Sequence, residues 1–327
     1  MNRTNNIAPI AFIYQNAKAV ILSLMILVAI LIPFITNEYW ERVFVFIFIS
    51  TALAQSWNII GGYAGCYSFG HSVFFAVGAF ASAILLTKFG LNFWIAILGS
   101  GLTASVLSIL FFPILRAKGF YFSMATLGTL LAMQVFFRQI PFLQSSDIGA
   151  RGWVVPSVGS LSFFYYLTLS ILIGISIFVF FGAKTKTGYG VQALRQDEIT
   201  ASCMGVWTTA YKCIALIIAA FWAGVIGGIY APFIAYIGPE STFEVSWTLD
   251  MVVMTLLGGA GTVSGPIIGG FTLSLINQIV WANFLYLHVF IYGILITLIV
   301  MFLPHGLVAA IEVGVQKIFG MKGLNQG

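Results

Sequence analysis

Apolar residues run through this chain in long blocks without the alternation of a half-buried strand, and charged residues stand between the blocks like fence posts. A membrane-spanning helix needs about 20 apolar residues. On that measure the intervals Lys18 to Glu38, Lys88 to Arg116, Lys118 to Arg138, Arg151 to Lys184 and Lys212 to Glu240 each hold one crossing. Arg42 to Lys88 has room for two and Asp250 to Glu312 for about three, so the pattern predicts about ten crossings. The expected fold is an all-α integral membrane protein, a single transmembrane domain over residues 1–327 with both termini on the cytoplasmic side.

The interval Val43 to Thr87 is too long for one helix and has no charged loop to divide it, so neutral residues must make the turn. The stretch GGYAGCYSFGH, with Gly61, Gly62 and Gly65 followed by Ser68 and His71, is where the break is expected. Irregular backbone at that depth is tolerated only when buried in protein or facing a cavity. A second stretch, GGAGTVSGPIIGGF, resembles the first: Gly258, Gly259, Ala260, Gly261 and Ser264 match Gly61, Gly62, Ala64, Gly65 and Ser68 once Tyr63 is deleted. Paired Gly-interrupted segments in two halves of a chain point to a transport pathway. Close helix packing through small residues accounts for the same glycines equally well. His71, ionisable within a membrane segment, is a functional candidate, or a histidine hydrogen-bonded to neighbours such as Ser68 and Ser72.

Composition agrees with the pattern. The chain is 60% hydrophobic and 7% charged, with mean hydropathy +1.04, far from soluble proteins, of which about 25% is charged. The net charge of +5 does not indicate nucleic acid, because 14 basic residues are spread over the whole length without an aromatic-interleaved patch. Topology explains it better. With a cytoplasmic N-terminus, Arg3, Lys18, Arg116, Lys118, Lys184, Lys186, Arg195, Lys212, Lys317 and Lys322 fall inside, and only Arg42, Lys88, Arg138 and Arg151 outside. Trp40, Trp94, Trp153, Trp247 and Trp281 lie near expected helix ends, as interfacial aromatics do. Lys18 is followed by apolar residues to Thr36 with no small-x-small site, so a cleaved signal peptide is not expected. Cys66, Cys203 and Cys213 show no metal spacing.

The longest polar interval, Lys184 to Lys212, is expected to be a cytoplasmic loop carrying one short helix from Val191 to Met204, preceded by Gly188 and Gly190 and ended by Gly205. Glu198 and Ala201, three apart, would share a face of it. Such a helix suits docking to a soluble partner, or lies on lipid headgroups.

The same interval carries a resemblance. Glu198-Ile-Thr-Ala201-Ser-Cys-Met-Gly205 resembles the E-A-A-x-x-x-G element of bacterial ABC importer permeases, and GYGVQALRQDEITASCMGVWTTAYK resembles its form in the branched-chain amino-acid permeases. The stretch Gly61 to His71, the run FWAGVIGGIYA at Phe221 to Ala231 and LGGAGTVSGPIIGG at Leu257 to Gly270 resemble that family in the same order, over about Ala52 to Pro304, and fit its LivM-like branch. Thr200 and Cys66 depart from the family pattern. The resemblance implies a translocation subunit of the bacterial inner membrane for branched-chain or related neutral amino acids. It would pair with a LivH-like second permease, two cytoplasmic ATP-binding subunits and an extracytoplasmic substrate-binding protein. Glu198, Ala201 and Gly205 would then couple to the ATPases, and Gly61, Gly62, Gly65, Ser68, His71, Gly258, Gly259, Gly261 and Ser264 would border the pathway. No cofactor is expected in this chain. It contains no G-x-x-x-x-G-K-[ST] and no H-E-x-x-H. The alternative is an ion-coupled secondary transporter, which needs ionisable groups at midplane; His71 and Asp250, the latter expected near the outer surface, are the sparse candidates.

Overall fold

The computed structural model describes residues 29–117, 119–139 and 152–283, with the isolated positions 293, 294, 297, 306 and 307. A helical segment at 29–35 leads into α1 (Glu38–Asn58), which passes directly into a π-helical turn at Ile59–Tyr63. Next come α2 (Ser72–Thr87), α3 (Phe93–Leu110), a 3₁₀ turn at Ile114–Arg116, α4 (Phe120–Gln139) and α5 (Leu161–Gly182). A connector carries α6 (Lys186–Gln196) and α7 (Glu198–Cys203) into α8 (Thr208–Ile234); a one-turn helix, α9 (Pro239–Thr242), then precedes α10 (Val245–Gly258) and α11 (Ser264–Asn283). Two-residue strands, β1 (Trp153–Val154) and β2 (Tyr236–Ile237), pair antiparallel, with Trp153 opposite Ile237.

Among the described residues the bundle is all-α apart from that pair, and five helices are long and apolar enough to cross a membrane: α1 with its π turn, α3, α4, α5 and α8. The expected division of Val43 to Thr87 holds, α1 and α2 flanking the Gly61 region. α10 and α11 occupy the first part of the interval expected to hold three crossings, and most of its remainder lies outside the described residues. The crossing expected after Lys18 falls mainly outside the described residues, as do Lys118, Arg151, the last crossing and both termini. Asp250 does not mark a helix boundary. It lies in the second turn of α10, which starts at Val245 because Glu244, with extended backbone, is the N-cap.

The two ends of the bundle differ. At one end the Arg42 guanidinium lies over the Phe233 ring (5.9 Å to the centroid) and the Lys88 ammonium over Trp153 (4.9 Å). Arg138 pairs with Glu240, and the Trp153 indole donates to Thr87 Oγ1 at 2.9 Å. The glycine breaks and the α6–α7 connector gather at the other end.

Small residues make the core close-packed. A Cβ on Gly227 would run into the Phe75 carbonyl of α2, and one on Gly224 would meet Ser100 O of α3 at 2.6 Å. Gly78 of α2 lies equally close to Gly224. Glycine lets three helix backbones approach where no larger residue could. The Ser82 hydroxyl then donates to the Gly228 carbonyl at 2.9 Å, a polar bond in an apolar setting.

Candidate functional site

The first break begins within α1. The i→i+5 turn at Ile59–Tyr63 swings the chain out of the helix, and the Trp57 indole anchors the ensuing loop by donating to Ser68 O at 2.8 Å. Ser123 Oγ donates to Tyr67 O at 2.7 Å and Phe69 N to Thr126 Oγ1 at 3.0 Å, so α4 holds the same loop from the side. Gly65 takes φ +71, the left-handed region that glycine enters without steric cost.

His71 is fully buried, and its Nε2 lies 3.1 Å from Ser56 Oγ. That hydroxyl already gives its proton to Leu53 O at 2.7 Å, so the ring donates to it from Nε2. Ser72, its neighbour, is clasped by Thr248 of α10 through both backbone nitrogen (3.0 Å) and hydroxyl (2.9 Å). The partner of His71 is thus Ser56, not the adjacent Ser68 or Ser72. Glutamine can offer a comparable amide donor, so His71→Gln is expected to keep most of any transport activity. A complete loss with normal assembly, measured as uptake per assembled complex, would return the ion-coupled alternative.

The second break is shorter. α10 ends at Gly258; Gly259 (φ +126) and Gly261 (φ +75) turn the chain, and Thr262 Oγ1 accepts from Gly265 N at 3.0 Å to open α11. Gly65 and Gly261, matched positions of the two glycine motifs, share the same left-handed backbone. Ser68 is buried, whereas Ser264 is exposed, so the likeness ends at the serines.

The structure brings the two breaks together. Asn58 Oδ1 accepts from Gly261 N at 2.9 Å, and Asn58 Nδ2 donates to Thr262 O at 2.8 Å. One amide side chain thereby clasps a backbone donor and acceptor more than 200 residues away. Gly62 is required for this approach, since a Cβ there would overlap Asn58 Oδ1 and sit 2.6 Å from Gly261 N. Arg195, in the last turn of α6, touches both breaks: its Cα is 3.1 Å from where a Gly65 Cβ would be, and its Nη1 donates to Ala260 O at 3.1 Å. Neither Asn58 nor Arg195 stands out in the sequence, because each is recognised by main-chain atoms of a distant segment.

The connector differs from the expected single helix at Val191 to Met204. Thr185 starts α6 earlier, accepting from Gly188 N at 3.1 Å, so Gly188 and Gly190 lie inside it. Asp197 then ends it with extended backbone and caps α7 by accepting from Ile199 N at 2.8 Å and Thr200 N at 3.2 Å. A short acid that can bond the next turn competes with helix continuation. Thr200, the departure from the E-A-A element, strengthens that cap by donating its hydroxyl to Asp197 Oδ2 at 3.0 Å.

The Thr200 and Ile199 amides, with the Thr200 hydroxyl, hold the Asp197 carboxyl below its ordinary range. A depressed pKa means stabilisation that is present above the unfolded value and lost as pH falls through the folded one. Amide exchange at Ile199 and Thr200, corrected for its intrinsic pH dependence, is therefore expected to accelerate on acidification, and Asp197→Asn to remove that dependence.

At its other end α7 closes as a Schellman turn, with Val206 N bonding Ala201 O at 3.0 Å, Gly205 N bonding Ser202 O at 3.0 Å, and Gly205 at φ +84. Glu198 turns inward to Lys212 at 2.7 Å, and Ala201 is buried. The face that α7 and the following turn leave exposed carries Ile199, Met204 and Trp207, at 66%, 82% and 76% exposure.

Known proteins can be set beside this arrangement. The family model described as branched-chain amino acid transport system / permease component matches residues 39–300. The high-affinity branched-chain amino acid transport system permease protein LivM of Escherichia coli (strain K12) is 25% identical over 319 residues, covering 89% of this chain and 74% of that protein. LivM of Salmonella typhimurium is 24% identical over 312 residues, 86% and 73% of the two chains. The permease protein LivH of the latter organism is 21% identical over 291 residues, 80% of this chain and 91% of its own. No solved structure matches. A transport role rather than catalysis accords with these relatives and with the multi-pass helices. With 262 consecutive residues inside the matched span, both glycine breaks, Asn58, Arg195 and the α6–α7 connector included, the chain belongs to the branched-chain amino acid transport system permease family.

Proposed function

We propose that this chain is one of two permease subunits of an ATP-driven importer for branched-chain or related neutral amino acids. It would work in the bacterial inner membrane beside a LivH-like permease, two cytoplasmic ATP-binding subunits and an external substrate-binding protein. The bundle would have about ten crossings and cytoplasmic termini. The break end, with Arg116, Lys184, Lys186, Arg195 and Lys212, would face the cytoplasm. ATP would be hydrolysed by the partner subunits.

The observation that carries this reading is the contact of Arg195 with both glycine breaks. An importer powered from outside the membrane needs a rigid route from its cytoplasmic loop to the translocation helices, and this is such a route. Within the loop, Glu198 and Ala201 anchor α7 to the bundle, Gly205 sets its exit, and Ile199, Met204 and Trp207 present an apolar face to the ATPase. A cluster of this kind fits a partner's pocket better than isolated surface residues do. Ile199→Asp and Trp207→Ala are expected to leave expression and permease pairing unchanged and to cut ATPase retention at least tenfold. Co-purification followed by ATP-dependent uptake in proteoliposomes tests this; retention at wild-type level in both variants would refute the assignment.

A further inference from the structure

Serine and threonine hydroxyls inside this bundle usually bond back to the preceding turn. Ser100 donates to Ala96 O, Thr129 to Ala125 O, Thr168 to Phe164 O and Ser176 to Leu172 O, all at 2.7–2.8 Å. Others reach across to a neighbouring helix or loop, as Ser82 and Ser123 do, but not every buried polar atom finds a partner. Six side-chain atoms shielded from solvent have no hydrogen-bond partner among the described residues: Glu41 Oε1, His71 Nδ1 and, on three further side chains, Thr51 Oγ1, both amide atoms of Gln55 and Ser274 Oγ. Gln55 is 0% and Thr51 1% exposed.

Thr51, Gln55 and Ser274 share one seam. Phe44, Phe48, Thr51, Gln55, Asn58 and Gly62 recur at alternating spacings of four and three along α1, a single helical face. That face meets α11 and the break before it at three levels, Gly62 against Gly261, Thr51 against Gly270 and Phe44 stacked on Phe271 at 6.3 Å, while the Phe48 ring turns to Tyr165 of α5 at 5.2 Å. Ser274 stands one turn beyond Gly270 on the facing side of α11. The two helices run antiparallel, so Gln55, Thr51 and Ser274 follow one another along the seam from the Asn58 clasp toward the stacked Phe44 and Phe271 rings.

Leaving an amide unpaired in a low-dielectric interior is costly, and three neighbouring departures on one interface are better explained by an occupant than by chance. Between the clasp and the Phe44 ring the row offers donors and acceptors together and no formal charge; Glu41 lies on the same face one turn beyond Phe44. That chemistry suits a solute that is itself net-neutral and has both a donor and an acceptor pole. Thr51 and Gly270 are in contact here, so admission requires α11 to part from α1, and the clasp that restrains it is the one Arg195 touches.

We propose that Thr51, Gln55 and Ser274 form an occluded station for a small zwitterionic or amide solute, latched by Asn58–Gly261 on one side and bordered by the stacked Phe44 and Phe271 rings on the other. The inference rests on the transport reading above. Apolar near-isosteres separate it from a merely structural row: removing an unsatisfied group without adding volume leaves a fold as stable or more so. In the complete complex with its second permease, ATP-binding subunits and binding protein, Gln55→Leu, Thr51→Val and Ser274→Ala are expected to keep or raise the melting temperature. ATP-driven leucine uptake in proteoliposomes is expected to fall at least tenfold in kcat/KM for Gln55→Leu and severalfold for the other two. Uptake within twofold of wild type in all three, with the complex intact, overturns the station and leaves the transport reading standing. A wild-type complex that takes up no neutral amino acid from a panel counts against the transport reading itself, and the station falls with it. If Gln55→Leu does not assemble, Ser274→Ala and Thr51→Val decide by the same measurements.

Discussion

Gly62→Ala is expected to insert, assemble and bind its partners, yet to lose at least nine-tenths of its uptake activity, and Gly62→Val to lose assembly as well. The added methyl would overlap Asn58 Oδ1 and press on Gly261 N, so the clasp between the two breaks must open to admit it. Overpacking of this sort costs about 1–3 kcal/mol, and each hydrogen bond given up adds about 1 kcal/mol. Gly259→Val is expected to behave like Gly62→Val for a different reason. The backbone there sits at φ +126, ψ 97, a region that a β-branched residue enters only at a cost of about 1–3 kcal/mol. Gly128→Ala supplies the control, because no described atom lies within 4 Å of a Cβ at that position of α4; it is expected to transport at wild-type rates. Normal uptake by Gly62→Ala, normalised to assembled complex, would show that the clasp has no part in transport. Equal loss of expression in Gly62→Ala and Gly62→Val would assign the glycine to packing alone.

Glu198→Lys is expected to have the largest effect on stability of any single exchange in the connector. Lys212 is 5% exposed at its side chain and Glu198 26%, with 2.7 Å between the charged atoms. Removing one member of a buried pair leaves the other charge desolvated without a partner, a penalty of about 3–5 kcal/mol, and a second ammonium beside it adds repulsion. Glu198→Lys is therefore expected to unfold the α7 turn and lower the yield of intact complex severalfold. Lys212→Met on a Glu198→Gln background is expected to recover most of that yield, because it removes the stranded charge while keeping an apolar stem of similar length. Thermal unfolding of the four members of the cycle, Glu198→Gln, Lys212→Met, the double variant and wild type, measures the coupling directly. A coupling near zero would mean that Glu198 is solvated in the assembled protein and free to contact a partner.

The helices were legible because the solvent conditions of a bilayer write themselves into sequence. α1 to α5 and α8 fall where runs of apolar residues between charges predicted crossings, and even the neutral division of Val43 to Thr87 was marked by its glycines. The connector was less legible. Periodicity alone cannot weigh an aspartate inside a polar helix against the same aspartate as the cap of the next one, and Asp197 chose the second. Nor could it tell which way Glu198 faces, since the lysine that turns it inward lies fourteen residues on, at Lys212 in the second turn of α8. Asn58 and Arg195 left no trace because they bond to carbonyls and amides, and a backbone atom has no letter. The breaks themselves were found by their glycines, but their meeting was not. That contact depends on α1 and α10 ending at one level, a property of helix lengths and packing together.

The glycine contacts between α2, α3 and α8 bear on how the chain comes to be made. Gly78 meets Gly224, and the Ser82 hydroxyl bonds to the Gly228 carbonyl, yet these partners are synthesised 146 residues apart. Elongation at about 5–20 residues per second leaves the α2–α3 hairpin waiting on the order of ten seconds in the bilayer before α8 emerges. During that interval Gly78 and Ser82 lack the backbone partners that α8 gives them in the folded bundle. A ribosome stalled before Thr208 would thus release a nascent chain whose most closely packed surface is still open, and membrane quality-control proteases would meet it in that state.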